Sequence, residues 1–227
     1  RHTDDEIAWH THIGLSNKAD LQVDVHIREL VRRGCTEIFI YAPDRDHLFA
    51  SITDQLHQFN LSILDARIIT SKTGITYNTF NVVNQQGVGI NDAQQYELIQ
   101  TGIKQILQDN VLSDNPIAQF IPTRMLHFQA APQVTIKNAE HLDYTSLHIH
   151  SPDHPGLLAD IAQALVQADV RVIGARVSTL GEKVHDIFHI TDMAGLKITQ
   201  SQQKDALINY LQEELTPADN NQSSYSI

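Results

Sequence analysis

Apolar and polar positions alternate along most of the chain. From Leu21, the residues Val23, Val25 and Ile27 recur every second position, the mark of a half-buried strand, and Ile38 and Ile40 repeat it after a turn at Arg32, Arg33 and Gly34. The pair predicts a hairpin. Between Arg45 and Phe59 the period changes, because Leu48, Phe49, Ile52, Leu56 and Phe59 form one helical stripe that needs a sheet to cover it. Strands follow over 61–69 and 75–83, joined by a turn at Lys72, Thr73 and Gly74. A second helix over 92–108 carries Tyr96, Ile99, Ile103, Ile106 and Leu107, with Asn91 or Asp92 as its cap.

The whole succession then returns. Phe128, Ala130, Val134 and Ile136 resume the alternation, with Pro132 marking a bulge or an edge position. A strand over 146–150, a helix over 155–167, strands over 170–179 and 182–190, and a helix over 199–215 follow. The loop SPDHPGLLADIA (151–162) repeats APDRDHLFASIT (42–53): Asp153 follows Asp44, and Arg176 follows Arg67, by the same 109 positions. Phe188 follows Phe80 by 108, which places a one-residue deletion in the second copy's later hairpin, where turn length is tolerant.

Each copy reads strand, strand, helix, strand, strand, helix. The fold class is therefore α+β: two ferredoxin-like units, each an antiparallel four-stranded sheet with two helices on one face. The usual ferredoxin-like order ends on a strand, and nothing strand-like follows Leu215, so the early strands (about 21–30 and 125–137) are expected to fill that edge in a permuted unit. The expected division is a linker or tail of a preceding domain over 1–20, a first domain over 21–110, a linker over 111–123, a second domain over 124–215 and a disordered tail over 216–227. The chain starts at Arg1 without an initiator methionine and is expected to be a piece of a longer protein, in which Trp9 has lost part of its packing.

Composition narrows the function. The 227 residues suffice for two domains of roughly 100 residues each, every one with its own core. With 16 basic against 27 acidic side chains, the net charge of −11 opposes binding to nucleic acid. No apolar run is long enough for a membrane span, and one cysteine, Cys35, rules out an internal disulfide, which fits the cytoplasm. Among 13 histidines, His148, His150, His154, His185 and His189 lie on neighbouring strands and a turn; a zinc or iron site would need them to converge, and strand-face placement is the simpler reading. No phosphate loop, nucleophile elbow or Cys-His motif stands in the sequence, so no catalytic site and no cofactor is assigned to this segment.

The repeated loop is the candidate site. Pro155 stands where a helix starts, Asp153 is placed to cap it or hold the loop, and Gly156 leaves the first-turn amides open to an anionic or carbonyl oxygen. An amino-acid zwitterion fits, with Asp153 taking the ammonium. In the first copy, Asp46 and His47 replace Pro155 and Gly156, and His47 is expected to crowd that approach.

The segments PDHPGLLADIA and VRVIGARVSTLGEKVHDIF resemble an ACT domain, a small regulatory fold that binds amino acids. The first copy, through TEIFIYAPDR, DARIIT and YNTF, is similar to the penultimate ACT domain of the bifunctional uridylyltransferase/uridylyl-removing enzyme family. The resemblance covers about 21–215. It implies a sensor of glutamine or another amino acid, attached to catalytic domains that use magnesium and a further divalent metal and act on the PII nitrogen-signalling protein. It also implies ACT–ACT pairing, within the chain or as a homo-oligomer, and a ligand site at Asp153, His154, Pro155, Gly156, Leu157 and Leu158, completed by Ser62 or Arg171 at a strand start of the neighbouring copy. Two other readings are a protein-interaction module without a small ligand and a free-standing two-ACT regulator.

Overall fold

The computed structural model describes residues 4–16, 23–109, 131–180 and 183–216. Eight strands form: β1 (Asp24–Leu30), β2 (Cys35–Pro43), β3 (Ser62–Thr70), β4 (Ile75–Val83), β5 (Gln133–Lys137), β6 (Thr145–Pro152), β7 (Val170–Leu180) and β8 (Lys183–Asp192). The helices are α1 (Asp4–Ser16), α2 (Leu48–Gln58), α3 (Ala93–Asp109), α4 (Leu157–Gln167) and α5 (Ser201–Glu214). The alternation worked as the sequence implied, because Ile38, Ile40, Phe80 and Val82 all point to one buried face while Phe39 and Tyr41 point to the other.

All strands join one antiparallel sheet in the order β1-β2-β4-β3-β7-β8-β6-β5. Each copy contributes one half, and its early strand, β1 or β5, lies at the outer edge, the permuted arrangement. The halves meet where β3 pairs with β7, and there Arg67 opposes its own equivalent Arg176, while the flanking pair Ile68–Ala175 is repeated in reverse by Val177–Ala66. A pseudo-twofold axis therefore passes through the Arg67–Arg176 pair. It relates α2 to α4, which pack against one another on the same side of the sheet.

Two separate cores are not what forms. A single cluster runs from Val25 and Ile38 in the first copy to Phe188 and Leu211 in the second, and Phe49 of α2 meets Phe188 of β8 edge-on at 5.8 Å between ring centres. Burial across the joint makes the copies one cooperative body rather than two tethered ones.

The first 20 residues differ from a plain linker. Residues 4–16 form α1, which lies on the far side of the sheet, where Ile13 is buried against Phe39, Tyr41 and Ile75, and Trp9 packs beside them. The Arg28 guanidinium stands 4.2 Å over the Trp9 ring. The expected linker over 111–123, the tail beyond 216, and Phe128 and Ala130 of the expected early strand lie outside the described residues.

Candidate functional site

Strand ends and helix starts meet at two places related by the pseudo-twofold axis. At one, the loop after β6 faces the start of β3 and the end of α2; at the other, the loop after β2 faces the start of β7 and the end of α4. Each place is thus built from both copies. Their residue contents differ, and so does their space.

The first place is a cavity of about 150 Å³. An engineered cavity of similar volume accepts a benzene-sized molecule. Asp153, His154, Pro155, Gly156, Leu157 and Leu158 line one side, and Ser62, Ile63, Thr53 and His57 of the other copy line the opposite side. The structure therefore brings together all the loop residues singled out in the sequence, with Ser62 as the completing residue. Arg171 is not among them.

Helix α4 begins at Leu157, two residues later than the sequence suggests, so Pro155 lies in the preceding turn instead of the first helical position. Gly156 is the N-cap, at φ +87°, and no side chain caps the helix; Asp153 is free of that task. The glycine is required twice. Its backbone is left-handed, and a Cβ on it would stand 2.8 Å from Cε1 of His57, whose ring forms the facing wall. The Leu157 N–H donates to His154 O at 3.1 Å and the Asp160 N–H to Gly156 O at 3.0 Å. The intervening amides of Leu158 and Ala159 belong to the first turn, which supplies donors without intrahelical acceptors and carries the positive end of the helix dipole.

Two carboxyl groups supply the opposite chemistry. Burial pushes the Asp153 carboxyl above its ordinary range, an effect that His154 partly offsets. Asp186 on β8 lines the same cavity, is 1% exposed, and accepts a hydrogen bond from the Ser178 N–H at 3.3 Å. Its carboxyl is pushed up to about 7 by burial, with the nearby Asp153 charge adding to the rise. Asp186, His57 and Thr53 lie outside the 151–162 loop motif and line the cavity as well. A signal for Asp186 was present: it is a carboxylate at an inward position between Val184 and Phe188, where burial of a charge needs a reason.

The second place is nearly closed, at about 20 Å³, the room of a single water. Arg171, the counterpart of Ser62, fills it: its guanidinium donates to Asp44 Oδ2 at 3.1 Å and lies 3.6 Å from Asp46 Oδ1. His47 is the N-cap of α2, at φ +61°, and lines this cavity with Val166, the counterpart of His57. At the position of Asp186 stands Asn78, fully buried, whose side-chain oxygen accepts from the Thr76 hydroxyl at 3.2 Å. Arg171 thus belongs to the opposite seat from Asp153, and it closes that seat.

Among the described residues, no group of three or more histidine, cysteine, aspartate or glutamate side chains is placed to hold a metal ion. No described helix is long and apolar enough to cross a membrane. Cys35 is buried, and burial pushes its thiol up, away from reactivity.

Residues 133–218 match a family model described as an ACR9-like, ACT-like domain. The chain is 37% identical over 220 residues to the bifunctional uridylyltransferase/uridylyl-removing enzyme of Pseudomonas fluorescens Pf-5, covering 95% of this chain and 24% of that protein. It is 39% identical over 196 residues to the protein of the same name in Azotobacter vinelandii, covering 85% of this chain and 22% of that one. Among solved structures, aspartate kinase from Synechocystis is similar at a TM-score of 0.44 and 18% identity, over 79% of this chain and 27% of that one. The chain spans about a quarter of the length of the curated relatives it matches. Its sequence and its paired α+β units together make it a homologue of the C-terminal part of the bifunctional uridylyltransferase/uridylyl-removing enzymes, with an ACT-like domain over residues 133–218.

Proposed function

We propose that the chain is the amino-acid-sensing module of such an enzyme and that its ligand is glutamine. The open cavity between the copies carries this reading, because it pairs helix-terminus amides with two carboxyl groups in a space of small-molecule size. The α-carboxylate of the ligand takes the first-turn amides of α4, and its ammonium takes Asp153 and Asp186. Ser62, Thr53 and His57 remain for the side-chain amide. A ligand held by both copies ties the β6–α4 loop to α2, so its binding energy acts on the joint between them. A coupling of roughly 1–3 kcal/mol is enough to tilt an attached two-activity enzyme.

In this reading the catalytic domains, and the magnesium and further divalent metal that serve them, belong to parts of the enzyme beyond this segment. The uridylylation and deuridylylation of the PII protein in the cytoplasm are carried out there, under the control of this module. Titration calorimetry with a panel of the common amino acids tests the proposal. Heat is expected for glutamine at a dissociation constant in the millimolar range or below, about −4 kcal/mol or better, and folded chain giving no heat with any amino acid would overturn it.

A further inference from the structure

Among the described residues, the side of the sheet facing away from α2 to α5 is covered in one half only. On the first half, α1 lies across it: Glu6, 2% exposed, accepts from Arg33 at 2.9 Å and from Arg67 at 3.4 Å, and Asp5 accepts from Arg28 at 3.0 Å. His10 stacks on Phe39 at 4.1 Å and hydrogen-bonds Glu37 at 2.9 Å. An acidic, aromatic-bearing helix is therefore seated on an aromatic floor framed by arginines.

The second half repeats the frame and changes the rest. Lys137 stands at the position of Arg28, and Arg176 at that of Arg67. The acids of the first floor are gone, since Ser146 replaces Glu37 and Gly174 replaces Asp65. The aromatic rings become imidazoles: His148 replaces Phe39, His150 replaces Tyr41 and His185 replaces Tyr77. His150 and His185 stack at 4.0 Å, and Ile187, half-buried, sits among them on β8. The charged groups that act on His148 and His185 are Lys137, Arg176 and other histidines, with no carboxylate among them. On a chain of net charge −11, this is an island of cationic and cationisable groups. Among the described residues, no helix crosses it and no carboxylate pairs with Lys137 or Arg176.

We propose that this outer face of the second half docks an acidic, aromatic-bearing amphipathic helix of a protein partner, in the way that α1 covers the first half. The chain itself shows the mode: carboxylates on the helix meet the basic residues at the frame, and an aromatic side chain lies on the ring floor. Lys137 and Arg176 supply the frame, and the His150–His185 stack with Ile187 supplies the floor. The chemistry of the partner follows from the loss of every acid that the first floor holds.

Fluorescence anisotropy with a labelled synthetic peptide of residues 4–16 (DDEIAWHTHIGLS) tests this on the full chain. The peptide is expected to bind saturably, and the Lys137→Glu/Arg176→Glu variant, altered only at exposed positions, is expected to bind it at least tenfold more weakly while melting at the same temperature. An Arg33→Glu variant, which disturbs the α1-covered half at the Arg33–Glu6 ion pair and lies away from Arg176, is expected to keep the affinity. The Asp4→Lys/Asp5→Lys/Glu6→Lys peptide is expected not to bind. Absence of binding at millimolar peptide, affinity unchanged in the double variant, or equal competition by unstructured polyglutamate would each overturn the proposal.

Discussion

The two seats between the copies are built from equivalent elements and hold opposite contents. One has Ser62, Gly156, Asp153 and Asp186 around about 150 Å³; the other has Arg171, His47, Asp44 and Asp46 around about 20 Å³. In the closed seat a cation of the protein itself meets the loop aspartate, whereas in the open seat the corresponding aspartate has no such cation. In the proposed function, what Arg171 does for Asp44 is done for Asp153 by the ammonium of a bound amino acid. The duplicated unit leaves one seat open and fills the other from within, and the proposed function places the ligand in the open one.

Removing the second carboxyl of the open seat breaks the comparison most strongly. In the folded chain Asp186 titrates at about 7 against 3.8 for the ordinary group, so it stays protonated where the unfolded chain has already ionised. Its contribution to stability is full below about pH 4, is lost as the pH rises towards about 7, and is constant above that. The swing is a few kcal/mol. In Asp186→Asn, which copies Asn78, this component is expected to vanish, and urea midpoints at about pH 4.5 and 7.5 for both proteins measure it. The same group predicts that glutamine binding near neutral pH releases protons, seen as a buffer-dependent heat.

The glycine comes next. Gly156→Ala puts a side chain at φ +87° and 2.8 Å from His57, and is expected to cost about 2 kcal/mol or more and to weaken glutamine binding. Thermal melting and calorimetry separate the two effects. Ser62→Arg transplants the plug, so a guanidinium pairing with Asp153 is expected to weaken glutamine at least tenfold, about 1.4 kcal/mol, with stability nearly unchanged. Arg171→Ser is the mildest, because the Arg171 side chain is 30% exposed; the loss in stability is expected to stay below about 1 kcal/mol in a melting experiment.

The division of labour between the seats was partly legible in the sequence. Period-two and helical spacing placed the strands and helices, because each residue's face is decided locally, and Gly156 against His47 marked the loops as unequal. The pairing of β3 with β7 was not legible, since nothing local tells a strand which partner lies across a copy boundary. That pairing decides the site: it sends Ser62 to the open seat and Arg171 to the closed one, two residues that spacing alone could not separate. Asp186 was missed for a related reason, because a loop motif draws attention away from a strand whose side chain reaches under it. The sequence left 1–20 as a linker or the tail of a preceding domain and did not show where a helix over 4–16 would pack, because its anchoring surface, Phe39, Tyr41 and Ile75, is remote in sequence and faces away from the main core.

The central claim is that only the seat formed by Asp153, Gly156, Ser62 and Asp186 binds the ligand. Glutamine calorimetry on the unaltered chain, Ser62→Arg and Arg171→Ser tests it directly. One site per chain is predicted for the unaltered protein, weakened at least tenfold in Ser62→Arg, about 1.4 kcal/mol, and kept at full affinity in Arg171→Ser. Two equal sites, or binding that survives Ser62→Arg and is lost in Arg171→Ser, would contradict the account.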